Sequence, residues 1–148
     1  MDSIAIPVAI GCDHGGFPLK AALVAALRQA GHGVLDMGTH SADRVDYPDQ
    51  AHAVCRAVQD GRARLGVLIC GSGVGMSIAA NRHPGIRCAL VSEPTTARLC
   101  RAHNDANVIA MGARLIGEAA AVDILHAFLA TPYEGGRHDQ RLAKLTPA

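Results

Sequence analysis

Residues 65–70, Leu-Gly-Val-Leu-Ile-Cys, form an unbroken apolar run that ends in Gly71-Ser72-Gly73-Val74-Gly75 and continues into a helix-like stretch, Met76–Asn81. A strand without polar alternation must be covered on both faces, as in a parallel sheet flanked by helices. The same unit recurs along the chain. Ile4–Ile10 is an apolar run, followed by a helical face of Leu19, Leu23 and Leu27 that Pro18 opens and Gly31 stops. Gly33–Met37 is a weaker strand, and Asp49 can cap a helix reaching Asp60 before Gly61. Ile86–Val91 is a fourth strand, with Ser92 or Glu93 before Pro94 opening the next helix. Asn107–Met111 is the fifth, and Arg114–Ala130 is the longest helix, ended by Thr131-Pro132. Alternation of this kind predicts an α/β fold: a three-layer α/β/α, Rossmann-like domain with a five-stranded parallel sheet. Residues 1–148 are expected to form one domain, with a polar, basic tail (133–148) that shows no core face.

Composition removes several function classes. With 49% apolar and 18% charged residues over 148 positions, the chain can bury a sizeable core and is not a disordered segment. A net charge of +1, no Trp, and only two Tyr and two Phe exclude a general nucleic-acid binder. Five cysteines, at 12, 55, 70, 88 and 100, make an odd count without C-x-x-C spacing, so neither a disulfide framework nor a zinc site is expected. Free thiols, no basic leader and no apolar run long enough for a membrane span point to a cytoplasmic protein. Neither H-x-x-x-H nor H-E-x-x-H occurs, so no metal is expected.

Open α/β sheets bind ligands beyond the carboxyl ends of their strands. Three candidate segments lie there: Cys12-Asp13-His14-Gly15-Gly16, Cys70–Gly75, and Ser92-Glu93. The glycine turn lets backbone N–H groups approach an anion at a helix start. Without a ligand it is simply a tight turn. The dinucleotide fingerprint fails because Met76 fills its third glycine position, and Gly-Lys-Ser/Thr is absent, so a P-loop fails as well. Glu93 stands about twenty residues on, where a ribose-binding acid belongs, which leaves a nucleotide- or phosphate-binding module as an alternative. Cysteines beside N–H donors serve as bases or nucleophiles, although Cys70 alone is equally a small buried hydrophobe. Cys55, Cys88 and Cys100 read as packing. Asp13 and His14 can handle protons or bind phosphate, or else cap a helix and face solvent. Arg137, His138 and Arg141 are spaced to hold a phosphate, or are a solvated tail.

Taken together, the chain resembles the ribose-5-phosphate isomerase B family, which also includes the galactose-6-phosphate isomerase subunits. The matching segments are Gly11-Cys12-Asp13-His14-Gly15-Gly16-Phe17, Asp46-Tyr47-Pro48, Ile69–Asn81, Gly85-Ile86-Arg87, Ser92-Glu93-Pro94, His103–Val108 and Tyr133–His138. They stand in order within a match running from residue 4 to about residue 142. The resemblance implies an aldose–ketose isomerase for a phosphorylated sugar, without metal or organic cofactor, converting D-ribose 5-phosphate to D-ribulose 5-phosphate through a cis-enediolate. Allose 6-phosphate or a tetrose 4-phosphate remains an alternative substrate.

The resemblance also implies the residue roles. The Cys70 thiolate is the proton-transfer base, with Ser72 nearby where many members carry Thr. His103 opens the sugar ring with help from Asp13. Members that lack this cysteine carry a Glu at the position of Met76, so the chain looks like the cysteine type. Backbone groups of Gly71, Gly73, Val74 and Gly75 steady the enediolate. Tyr47 and Asn104 hold hydroxyls. His14, Arg114, Arg137 and Arg141 hold the phosphate, and His138 lines the site. His103, Asn104 and the tail arginines reach the site from a second subunit, which implies a homodimer able to pair into a tetramer.

Overall fold

The computed structural model describes residues 5–148. Five parallel strands form one sheet in the order β2-β1-β3-β5-β4: β1 (Val8–Cys12), β2 (Val34–Asp36), β3 (Leu65–Cys70), β4 (Cys88–Leu90) and β5 (Val108–Gly112). The helices are α1 (Phe17–Gln29), α2 (Tyr47–Gln59), α3 (Val74–Ala80), α4 (Pro94–Asn104), α5 (Glu118–Ala130) and a short α6 (Asp139–Ala143).

Two-residue periodicity along the strands separates two apolar layers. Val8, Ile10, Val67, Ile69, Ile109 and Met111 pack with Leu23 and Leu27 of α1, Ala97 and Cys100 of α4, and Ile124, Leu125 and Phe128 of α5. On the opposite face, Ala9, Leu68, Cys70, Val108 and Ala110 pack with Val54 and Cys55 of α2 and Met76 and Ala79 of α3. The three-layer expectation holds. Cys70 therefore belongs to the α2–α3 side. The buried set Ala121, Ile124, Leu125 and Phe128 is the i, i+3, i+4, i+7 stripe of an amphipathic helix.

Several element boundaries differ from the sequence reading. The first strand starts at Val8 rather than Ile4, which lies outside the described residues, because Pro7 has no N–H for the ladder and the pairing with β2 and β3 begins at Val8. Helix α2 begins at Tyr47 with Asp46 at the cap position, so Asp49 sits in its first turn. Helix α3 begins at Val74, two residues before Met76, because left-handed Gly73 (φ +81°) already turns the chain into the helix. β4 is trimmed to Cys88–Leu90. Helix α5 starts at Glu118, not Arg114, and at 13 residues it equals α1 and α2. Residues 113–116 are drawn into a turn instead: the Arg114 N–H donates to Gly71 O at 3.0 Å and the Ile116 N–H to Gly112 O at 3.2 Å. The tail carries one buried side chain, His138, and the helix α6, so it is less featureless than its composition suggests.

Candidate active site

Chain order reverses between β1 and β3, and a crevice opens beyond their carboxyl ends. Cys70 closes β3 and is 5% exposed. The Gly73 N–H donates to its Sγ at 3.1 Å, and the Val74 N–H donates to Ser72 Oγ at 3.2 Å. The N–H groups of Gly75 and Met76 fall in the first turn of α3 and have no intrahelical acceptor. A Cβ on Gly75 would lie 2.5 Å from Tyr47 Cζ, so the tyrosine ring at the start of α2 rests directly on the turn.

Asp13 follows β1. Its Oδ1 accepts from the N–H groups of Gly15 (2.9 Å) and Gly16 (3.2 Å), which caps a short 3₁₀ turn and fixes the carboxylate. Its own N–H donates to Ile69 O at 3.2 Å, stitching the β1 loop to β3. The Val45 N–H donates to His14 Nδ1 at 3.3 Å, an arrangement that suits the tautomer with the ring proton on Nε2. The cleft has a volume of about 680 Å³ and is lined by Asp13, Tyr47, Cys70, Gly71, Ser72, Val74, Gly75, Ile78, Arg114 and Leu115. Ile78 and Leu115 were not singled out from the sequence. The signal available was the exposed apolar pair Val74 and Ile78, one helical turn apart.

Glu93 is used differently from a ribose-binding acid. Its carboxylate accepts from the Thr95 and Thr96 N–H groups at 2.6 Å each and from the Thr96 hydroxyl, capping α4. These hydrogen bonds, led by the Thr96 hydroxyl, hold it below the ordinary carboxylate range. Burial raises the thiols of Cys12, Cys55 and Cys100 to about 11 and pushes Cys88 up further, in keeping with packing roles.

The remaining singled-out residues lie elsewhere in the chain. Helix α4 runs from the carboxyl end of β4 back to the amino end of β5, so His103 and Asn104 sit at the sheet edge opposite Cys70. Five or six residues of strand separate the two edges, roughly 16–20 Å. The tail docks at that far edge. The Glu134 N–H donates to Ala102 O at 3.0 Å, and the His138 ring stacks on His103 with centroids 4.5 Å apart and planes at 19°. His138 is 4% exposed, whereas Arg137 and Arg141 face solvent. One chain thus holds two sets of polar groups at opposite ends: Asp13, His14, Tyr47, Cys70–Gly75 and Arg114 at one, and His103, Asn104, Arg137, His138 and Arg141 at the other.

A family model described as Ribose/Galactose Isomerase matches residues 8–145. The chain belongs to that family. The isomerase is 51% identical to ribose-5-phosphate isomerase B of Escherichia coli (strain K12), over 94% of this chain and 93% of that protein. It is 39% identical to the galactose-6-phosphate isomerase subunit LacB of Clostridium acetobutylicum, over 93% of this chain and 79% of that subunit. Among solved structures, type B ribose 5-phosphate isomerase of Trypanosoma brucei superposes with a TM-score of 0.90 at 52% identity, covering 93% of this chain and 95% of that one. Among the described residues of the isomerase, no helix is long and apolar enough to cross a membrane.

Proposed function

We propose that the isomerase interconverts D-ribose 5-phosphate and D-ribulose 5-phosphate through a cis-enediolate, with Cys70 as the proton-transfer base. The observation that carries this reading is the thiol itself, held by the Gly73 N–H at 3.1 Å on the floor of a cleft rimmed by amide groups. Cys70 removes the C2 proton of the open-chain aldose. The electron pair of that bond enters C1–C2 as charge develops on O1. The O2 proton passes to O1, and Cys70 returns its proton to C1. One base on one face serves both transfers, and no electrons leave the substrate, so the step calls for no redox partner. Ser72 and the N–H groups of Gly71 and Gly75 stabilise the developing oxyanion, joined by those of Gly73 and Val74 once they turn from Cys70 Sγ and Ser72 Oγ to the substrate, and each donor is typically worth about 10²–10³ in rate.

His14 and Arg114 bind the phosphate from the same chain. In this reading His103, Asn104, Arg137, His138 and Arg141 complete the site from a second subunit, because within one chain they stand at the wrong edge of the sheet. A two-fold pairing supplies each cleft with its partner's set. Val74, Ile78 and Leu115 support that pairing, being 45%, 54% and 69% exposed around the cleft mouth. His103 then opens the furanose ring with Asp13 assisting, Asn104 and Tyr47 hold hydroxyls, and the tail arginines clamp the phosphate bidentately. Two such dimers can associate into a tetramer. Free thiols at all five cysteines suit a reducing cytoplasm.

The test is a proton NMR time course with D-ribose 5-phosphate in D₂O. Ribulose 5-phosphate should appear with deuterium entering at the exchanging carbon. Parallel tubes with allose 6-phosphate, erythrose 4-phosphate and galactose 6-phosphate rank the alternatives. Faster turnover of any of these overturns the pentose assignment, and no turnover of any overturns the catalytic one.

A further inference from the structure

At the far edge of the sheet, His103, Glu134 and His138 each offer one ligand atom, and these atoms lie within 4.8 Å of one another. His138 is 4% exposed, and its Nε2 has no hydrogen-bond partner among the described residues. Glu134 Oε2 approaches that nitrogen to 3.5 Å, close enough for an ion pair but without hydrogen-bond alignment. A buried ring nitrogen left in this state is costly unless something fills it. The local backbone holds the group together. Glu134 is tied beside His103 by its N–H bond to Ala102 O, and left-handed Gly135 and Gly136 (φ +66° and +60°) fold His138 back over it.

We infer that His103, Glu134 and His138 form a binding site for a divalent transition-metal ion of the zinc class. Two imidazoles and a carboxylate are a donor set such ions take, leaving a fourth position open. The stacked rings must open for both nitrogens to aim at one ion, and His103 is the one free to turn, being only half-buried. The other histidine pair makes the contrast. His52 Nδ1 and His83 Nε2 lie 2.7 Å apart and satisfy each other. Resting on the proposed function, the inference has a consequence: an ion on His103 removes the ring-opening acid, so the metal inhibits.

Chelator-treated full-length protein is titrated with Zn²⁺ by calorimetry and with Co²⁺ by visible absorption. One ion should bind per chain, with the Co²⁺ bands of a low-coordinate site. Glu134→Gln should weaken binding at least about tenfold, a loss that even outer-shell partners produce. His52→Asn should leave it unchanged. In rate assays Zn²⁺ should inhibit the wild type, while Glu134→Gln keeps the metal-free rate and resists inhibition. Absence of binding overturns the site, as does binding that neither Glu134→Gln nor His138→Asn weakens. Equal inhibition of the wild type and Glu134→Gln overturns the inhibitory role. Glu134-dependent binding by a protein inactive on every phosphosugar leaves the metal site standing and fails the isomerase reading instead.

Discussion

Cys70 and the glycines after it show how much chemistry rests on single atoms. The expected effect of Cys70→Ala is a kcat loss of about 10²–10⁴, the range for a general base, with thermal unfolding nearly unchanged. A Cys70→Ala enzyme with wild-type kcat would remove the thiol from the mechanism. Gly73 and Gly75 should fail differently when changed to Ala. Gly73 sits at φ +81°, and a Cβ there would stand 2.7 Å from Leu90 Cδ1 and 2.9 Å from the backbone carbon of Met111. Backbone cannot yield, so Gly73→Ala should cost about 1–3 kcal/mol of stability, read by denaturant unfolding. The Cβ of Gly75→Ala would meet the Tyr47 ring, which is 39% exposed and able to swing out. Gly75→Ala should therefore raise KM through displaced Tyr47 while leaving the unfolding midpoint close to wild type.

Among the elements, α1 and the segment after β2 are joined by a buried ammonium. Lys20 is 3% exposed and donates to Asp36 Oδ1 at 2.7 Å and Thr39 O at 2.5 Å. Lys20→Met leaves both acceptors short of a donor and should destabilise by about 1–3 kcal/mol. Burial by itself would raise the Asp36 carboxyl above its ordinary 3.8, but hydrogen bonds from Lys20 and the Gly38 N–H outweigh it and hold it lower. A depressed folded-state value means that the folded chain binds fewer protons than the unfolded chain just below pH 4. The contribution is complete above that pH and is lost as the pH falls through the folded value. Tm against pH should thus drop more steeply below pH 4 in the wild type than in Asp36→Asn. Element reading from sequence succeeded best where burial is two-sided: Leu65–Cys70 was legible to the residue. It slipped where a distant carbonyl intervenes, as when Gly71 O captures the Arg114 N–H and delays α5 to Glu118.

For the whole molecule, two sets of polar residues at opposite ends of one chain, joined across a dimer in the proposed function, make a strong prediction. Cys70→Ala and His103→Ala proteins, each impaired, should regain activity when co-refolded, because a mixed dimer contains one cleft with both native groups. Random re-pairing yields about a quarter of the wild-type sites under two-fold symmetry. No recovery would overturn the pairing of Cys70 with a second subunit's His103. Arg137→Ala with Arg141→Ala should raise KM for the phosphorylated sugar, through loss of charge-assisted phosphate contacts. Unchanged kinetics would release the tail from the active site.

Local pattern alone determined the parallel sheet, its two coverings and the placement of Asp13 just beyond β1 and of Cys70 at the end of β3. Apolar continuity and glycine position act over a few residues, and they suffice for that. Asp13 was legible as a candidate for the same reason, whereas Tyr47, Ser72 and Arg114 became candidates only through the family resemblance. Their convergence on one cleft depended on strand order, since β1 and β3 become neighbours only when β2 crosses to the other side. The separation of His103 from Cys70, and the meeting of His103 with Glu134 and His138, were decided by tertiary structure. Helix α4 had to run the length of the sheet, and the tail had to fold back onto it, before residues some thirty positions apart could share one buried corner.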